Sequence, residues 1–311
     1  MRGVISPKLT AFLDQANQAL AEAKESGISF SAERVRGSLK NLTTFLDEGP
    51  EIAHIEDKYL GDQRIPVRIY NPSPNETLPV LLHFHGGGHM CGDVEVYDPI
   101  SRKLAIAARA IVICVDYRLA PEHPFPAGID DCQYALEHYK KLLSGQKINE
   151  QLFIAGDSAG GAICTSLVMN NIDNDAVKID KQVLIYPSVD YTMSLPSVEE
   201  NGHGYLLERD KVVWYFQQYF QVSDLNDDIV KKASPLLGYF SSNMPESLVI
   251  VGGCDPLKDE GIAYAKALES AGVRVKCHQF PGMVHAFMLI ENLVKEECEK
   301  TYQLISEFTQ G

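Results

Sequence analysis

The chain has 311 residues, 45% of them hydrophobic and 23% charged, enough apolar material for one large core and a single domain over residues 1–311. Its 42 acidic side chains outnumber 28 Lys and Arg, a formal net charge of −14 that argues against nucleic acid or an anionic membrane as partner and disfavours strongly anionic substrates. No apolar run reaches the length of a signal-peptide core or a membrane span, so a cytoplasmic protein without stable membrane association is expected.

From the N-terminus, Ser6 to Ala23 places Leu9, Phe12, Leu13, Ala16 and Leu20 on one helical face, and Ser31 to Leu46 predicts a second helix interrupted at Gly37. Ile52 to Leu60 and Ile65 to Tyr70 predict antiparallel strands, with Pro72 and Pro74 marking the turn into an apolar strand from Leu78 to Phe84. His85-Gly86-Gly87-Gly88 follows that strand directly. Glycines let backbone N–H groups approach a ligand without Cβ interference, which is what stabilising a developing oxyanion requires. The same glycines suggest a flexible loop or a phosphate cradle, but no Lys-Ser/Thr follows and the dinucleotide spacing is missing.

Next come a strand at Ala110 to Val115, a helix at Ile129 to Leu143, a strand at Leu152 to Ala155 and a helix at Ala159 to Met169, then a strand at Val183 to Tyr186. Such alternation predicts an α/β fold, a mostly parallel central sheet flanked by helices. Between the second strand and the second helix of this series, Ser158 stands between Gly156 and Gly160. A sharp strand-to-helix turn that exposes a serine needs small residues two positions to either side, because larger ones collide. The pattern also occurs by chance, as an ordinary Gly-Ser-Gly turn.

The alternation breaks from Pro187 to about Leu236, where a polar loop leads into a helix from Glu208 to Phe220 that carries Val212, Trp214, Tyr215, Phe216, Tyr219 and Phe220. Apolar around much of its girth, this helix is expected to face core on one side and a substrate cavity on the other. A helical cap built from about residues 1–46 and about 188–232 follows from that reading. The strand Ser247 to Gly253 then runs into Asp255, and the strand Arg274 to Phe280 leads to the loop holding His285. Both emerge at the sheet edge where open α/β sheets build their sites, in the order serine, acid, histidine. The bland alternatives are a helix-capping Asp255 and a surface His285.

Taken together, these motifs resemble those of the hormone-sensitive-lipase-like branch of α/β-hydrolase esterases. The resemblance runs nearly end to end and adds Asp116 to Glu122, Pro124 to Ala127, Asp255 to Gly261 and His285-Ala286-Phe287. It implies Ser158 as nucleophile, His285 as general base and acid, Asp255 as the group orienting His285, and the N–H groups of Gly87, Gly88 and Ala159 as the oxyanion hole. His85 and Gly86 would brace the loop. His89-Met90-Cys91 and Ala286 depart from the family's usual bulky apolar residue and glycine, which bears on the shape of the acyl pocket. The implied activity is a serine carboxylesterase for small neutral esters with short-to-medium acyl chains.

An amidase, lactonase or deacetylase would use the same triad. A non-catalytic receptor on this scaffold, such as the plant gibberellin receptors, would need a broken one. Gly-Asp-Ser-Ala-Gly-Gly also occurs around the serine of chymotrypsin-like proteases, whose triad runs in another order on β-barrels. Asp157, Tyr117 and Arg118 read as scaffold. Without Cys-x-x-Cys or His-Glu-x-x-His, neither a metal nor an organic cofactor is expected. The seven cysteines, an odd number, suit a reducing compartment, and self-association as a homodimer is left open.

Overall fold

A computed structural model describes residues 1–172, 174 and 176–311. Eight strands form one sheet: β1 (His54–Leu60), β2 (Ile65–Asn71), β3 (Leu78–Phe84), β4 (Ile111–Val115), β5 (Ile148–Asp157), β6 (Lys181–Ile185), β7 (Glu246–Cys254) and β8 (Val275–Val284). Their order is β1-β2-β4-β3-β5-β6-β7-β8. The first two strands pair antiparallel and β2 meets β4 antiparallel, whereas β3 to β8 run parallel. Parallel strands need crossovers, and helices supply them here. The helices are α1 (Thr10–Glu25), α2 (Ala32–Leu42), α3 (Asp98–Ala108), α4 (Ala127–His138), α5 (Ala159–Asn170), α6 (Ser197–Glu200), α7 (Arg209–Phe220), α8 (Asp228–Ala233), α9 (Lys258–Ser270) and α10 (Lys295–Gln310).

Strand alternation decides which helices cover which face. Val80, Leu82 and Phe84 of β3 point to one side and pack with Leu136 of α4, Ile163 of α5 and Leu268 of α9. Leu81 of the same strand points to the other, into a core shared with Leu104 of α3 and Ile305 of α10. Because both faces are covered, β4 is buried along its whole length, and its sequence, Ile-Val-Ile-Cys-Val, is continuously apolar for that reason. A third apolar cluster joins Val35 of α2 to Val212, Tyr215, Phe216, Tyr219 and Phe220 of α7 above the strand ends.

Three expectations change. Helix α2 passes through Gly37 without interruption. A single glycine costs a helix only about 1 kcal/mol relative to alanine, and tertiary contacts on either side offset that. Val35 is buried, and the Arg36 guanidinium donates to the Met90 and Ala120 carbonyls (2.9 and 3.1 Å) while gripping Glu122 with two nitrogens. Strand β8 continues past Phe280 to Val284, since the ladder with β7 resumes beyond an irregularity between Gly252 and Cys254. The helix expected from Ile129 to Leu143 stops at His138 and continues as a 3₁₀ turn. Among the described residues, no helix is long and apolar enough to cross a membrane.

Candidate active site

Ser158 sits at the junction of β5 and α5 with φ +54° and ψ −118°, a conformation an L-residue adopts only when its surroundings hold it there. Three backbone bonds do so. Its N–H donates to the Ile185 carbonyl (2.9 Å), and its own carbonyl accepts from Ser188 (3.1 Å) and Ala162 (3.1 Å). The glycine requirement read from the sequence has a concrete cause at Gly160, where an added Cβ would lie 1.8 Å from the Phe84 carbonyl oxygen. The turn closes only because β3 and the start of α5 touch backbone to backbone.

His285 and Asp255 arrive from the ends of β8 and β7. His285 Nε2 lies 2.8 Å from Ser158 Oγ, and its Nδ1 lies 2.8 Å from Asp255 Oδ2. An ionised carboxylate only accepts, so Nδ1 carries the ring proton and Nε2 is left as acceptor for the serine hydroxyl. The second oxygen, Asp255 Oδ1, accepts from the Leu257 N–H at 2.7 Å. Asp255 is fully enclosed, and Asn201 holds the backbone beneath it by donating to the Gly253 and Asp255 carbonyls. Tyr186 packs on the imidazole with ring centres 4.8 Å apart.

The glycine loop is anchored at its base and open at its tip. Gly86 donates its N–H to Asp157 Oδ1 (2.8 Å), Tyr97 donates to Asp157 Oδ2 (3.1 Å), and Tyr117 donates to the His85 carbonyl (2.6 Å) while stacking on the His85 ring. The Gly87 carbonyl accepts from Met90 and Cys91. By contrast, the N–H groups of Gly87, Gly88 and Ala159 donate to no group among the described residues, and all three residues line the same cavity as Ser158 and His285. Positive φ at Gly87 and Gly88 (+114° and +65°) turns that stretch of backbone. Asp157 and Tyr117 thus touch the loop from below, whereas Arg118 turns away to pair with Asp131.

Burial shapes the protonation of the supporting groups. It pushes the Asp157 carboxyl up to about 6, against the Tyr97 and Gly86 hydrogen bonds that favour its charge. It also pushes His85 down to about 4, so that ring is neutral at pH 7. A raised carboxyl value means the folded state binds a proton that the unfolded chain, near 3.9, has lost. The stability this contributes is complete below pH 4 and lost as pH rises to 6, about 3 kcal/mol over two pH units. Asp157→Asn should therefore gain about that much relative to the native protein between pH 4 and 6, read from urea unfolding at each pH. A stability difference that stays flat over this window would mean that Asp157 ionises normally.

The cavity holds about 160 Å³ and is walled by Val35, Leu39 and Leu42 of α2, Val212 and Tyr215 of α7, and Leu289. None of the α2 residues, nor Asn201, Tyr97 or Tyr186, was singled out for the site from the sequence. Helix α2 has an apolar stripe that any packed helix would show, and the three polar residues sit in no motif that marks them. Cys91 and Cys254 flank the loop and the acid as free thiols. Burial raises both, Cys254 to about 11, which keeps them protonated and poorly nucleophilic. Among the described residues, no cluster of His, Cys, Asp and Glu is arranged to hold a metal.

Comparison with known proteins points the same way as this geometry. A family model described as α/β hydrolase fold matches residues 81–289. The chain is 32% identical to ethyl acetate hydrolase of Pseudomonas putida, across 98% of this chain and 99% of that protein. With carboxylesterase NlhH of Mycobacterium tuberculosis it shares 36% identity over 86% of each. Among solved structures, the hyperthermophilic esterase of the archaeon Pyrobaculum calidifontis matches with a TM-score of 0.84 and 34% identity, covering 98% of both chains.

Proposed function

The chain belongs to the α/β-hydrolase family, in the hormone-sensitive-lipase-like branch its motifs resemble, and on that premise we propose that it is a serine carboxylesterase for short-to-medium acyl esters. One observation carries the mechanism: the unbroken line from Asp255 through His285 to Ser158 Oγ ends beside three unengaged N–H groups in an apolar cavity.

In this reading His285 Nε2 takes the Ser158 proton as the serine oxygen bonds to the acyl carbon. The carbonyl oxygen, now negative, is held by the N–H groups of Gly87, Gly88 and Ala159. When the tetrahedral species collapses, the C–O bond to the alcohol breaks and His285 returns the proton to the departing oxygen. Water then attacks the acyl-enzyme by the same route, giving its proton to His285 and leaving the acid and free Ser158. Asp255 keeps the imidazole in the tautomer that can accept and stabilises the imidazolium between the two transfers. Every group needed comes from side chains and backbone.

Helices α2 and α7 roof the cavity in a cap formed by the N-terminal 46 residues and about 188–232. The two parts are tied together. Gly3 donates to Asn201 Oδ1, Arg2 donates to Tyr205 Oη and the His203 carbonyl, and Asn17 donates to the Gly204 carbonyl. Asn201 in turn supports the Asp255 backbone, so the N-terminus reaches the acid through one side chain.

An ester series with two to twelve acyl carbons, beside matched anilides, tests this reading. Each buried CH₂ should improve binding by about 0.8 kcal/mol until the cavity fills, with best kcat/KM on about two to eight carbons. Anilides turned over faster than esters would favour the amidase alternative. Removing residues 1–45 should cut kcat/KM at least about tenfold and flatten the chain-length profile, by the cost of losing alignment in the roofed cavity. A truncated protein with an unchanged profile would show that α2 does not bound the acyl site.

A further inference from the structure

Among the described residues that roof the cavity, Ser38 of α2 is polar and Lys211 of α7 is the one that carries a charge. Lys211, in the first turn of α7, lines the cavity with Leu206, Leu207, Val212 and Tyr215 and is partly buried. Its ammonium lies 5.7 Å from the centre of the Tyr215 ring. That ring lies against the oxyanion loop, since a Cβ at Gly88 would stand 2.9 Å from Tyr215 Cδ2. Lys211 is one helical turn from Tyr215, and both line the cavity that also holds Gly87, Gly88 and Ser158.

No carboxylate among the described residues stands within ion-pair distance of Lys211. Glu208, one turn away on the same segment, is occupied by the Gly204 N–H (2.7 Å) and His203 Nδ1 (3.2 Å). Asp210 faces Arg209. Asp157 at the cavity floor is engaged by Gly86 and Tyr97. Facing Lys211 from the loop side, Cys91 is kept protonated by burial. A partly desolvated ammonium without a counter-charge is costly, and the cost is recovered when an anion arrives. Burial lowers the Lys211 value from its ordinary 10.5, a larger effect than the opposing influence of Cys91 and Glu208.

We propose that Lys211 is a specificity-determining residue whose ammonium pairs with a carboxylate on the substrate, making the preferred substrates esters that carry a free carboxylate a few carbons from the scissile carbonyl. The proposal rests on the esterase reading above. It revises the expectation of small neutral esters carried by the resemblance, and the overall charge of −14, which disfavours strongly anionic substrates, does not stand against it. Charges spread over the surface are screened beyond about 8 Å at physiological ionic strength, whereas a pair inside the cavity is screened far less. Local charge therefore outweighs net charge at this site.

The test compares kcat/KM for carboxylate esters with their carboxamide analogues, which have nearly the same size and no charge. One arm places the carboxylate on the acyl side, as monoethyl glutarate against its carboxamide. The other places it on the alcohol side, as 4-acetoxybutanoate against 4-acetoxybutanamide. In at least one arm the native enzyme should favour the carboxylate by on the order of tenfold or more, mainly through KM, as a charge-assisted bond made equally in ground and transition states would give. Lys211→Met should bring that ratio to one or below, and Lys211→Arg should keep it above one.

Carboxamides preferred in both arms by the native enzyme, or a ratio unmoved in a folded Lys211→Met protein, would overturn the proposal. The native-enzyme comparison stands even if a variant fails to fold. If neither these esters nor plain butyrate esters are hydrolysed, the esterase premise itself fails, a distinguishable outcome.

Discussion

Ser158→Ala is expected to lower kcat by on the order of 10⁴-fold or more, because the atom proposed to bond to the acyl carbon is gone and only binding and the proposed oxyanion donors remain. The fold should be untouched. Ser158 Oγ makes no capping bond to α5, and its side-chain partner is His285. Alanine at φ +54° meets much the same strain as serine, so the elbow pays no new conformational cost. A fluorophosphonate probe should label Ser158 in the native protein and nothing in the variant, read by mass spectrometry of the digested protein. Label on another serine, or near-normal turnover by Ser158→Ala, would remove it as nucleophile.

Asp255→Asn should cost about 10³- to 10⁴-fold in kcat at neutral pH. The reason lies in the acceptor count. Both oxygens of Asp255 accept, one from His285 and one from the Leu257 N–H, whereas an asparagine has one oxygen and one NH₂. If the oxygen faces His285, the NH₂ confronts the Leu257 N–H in a fully buried place. If the NH₂ faces His285, Nδ1 must become the acceptor and Nε2 carries the proton toward Ser158, so the base is lost. A steady-state rate profile on a butyrate ester separates these outcomes from unfolding when run beside circular dichroism. An unchanged rate would shift the role to another acid, yet the nearest ones are engaged: Asp259 accepts from the Ser197 N–H and Glu260 from the Val189 and Asp190 N–H groups.

These two predictions depend on residues that were legible before the structure, for a local reason. Ser158 and Asp255 directly follow runs of buried residues at the ends of β5 and β7, which read as largely apolar stretches in sequence, whereas β8 is mostly exposed or half-buried until Met283 and Val284, so His285 is marked by its place after a strand and not by a buried run. In a parallel sheet, consecutive strands end on the same side, so three strand ends bring three distant residues to one edge. The glycines around Ser158 and in the loop after β3 are equally local signals, since Gly156, Gly160, Gly86 and Gly87 lie too close to another stretch of backbone, and Gly88 too close to the Tyr215 ring, for a Cβ to fit.

What sequence alone determined was therefore the sheet, the chain order of its parallel half and the strand-end positions of the groups placed in the triad and oxyanion hole. The tertiary structure alone decided the rest: that Asn201 supports the acid and is itself held by Gly3, that α2 passes through Gly37, and that Lys211 faces the cavity. A helix as apolar as α7 carries no periodicity that says which side is core and which is cavity. Contacts between residues some two hundred positions apart leave no local pattern, because they arise only when loops from separate crossovers meet above the sheet.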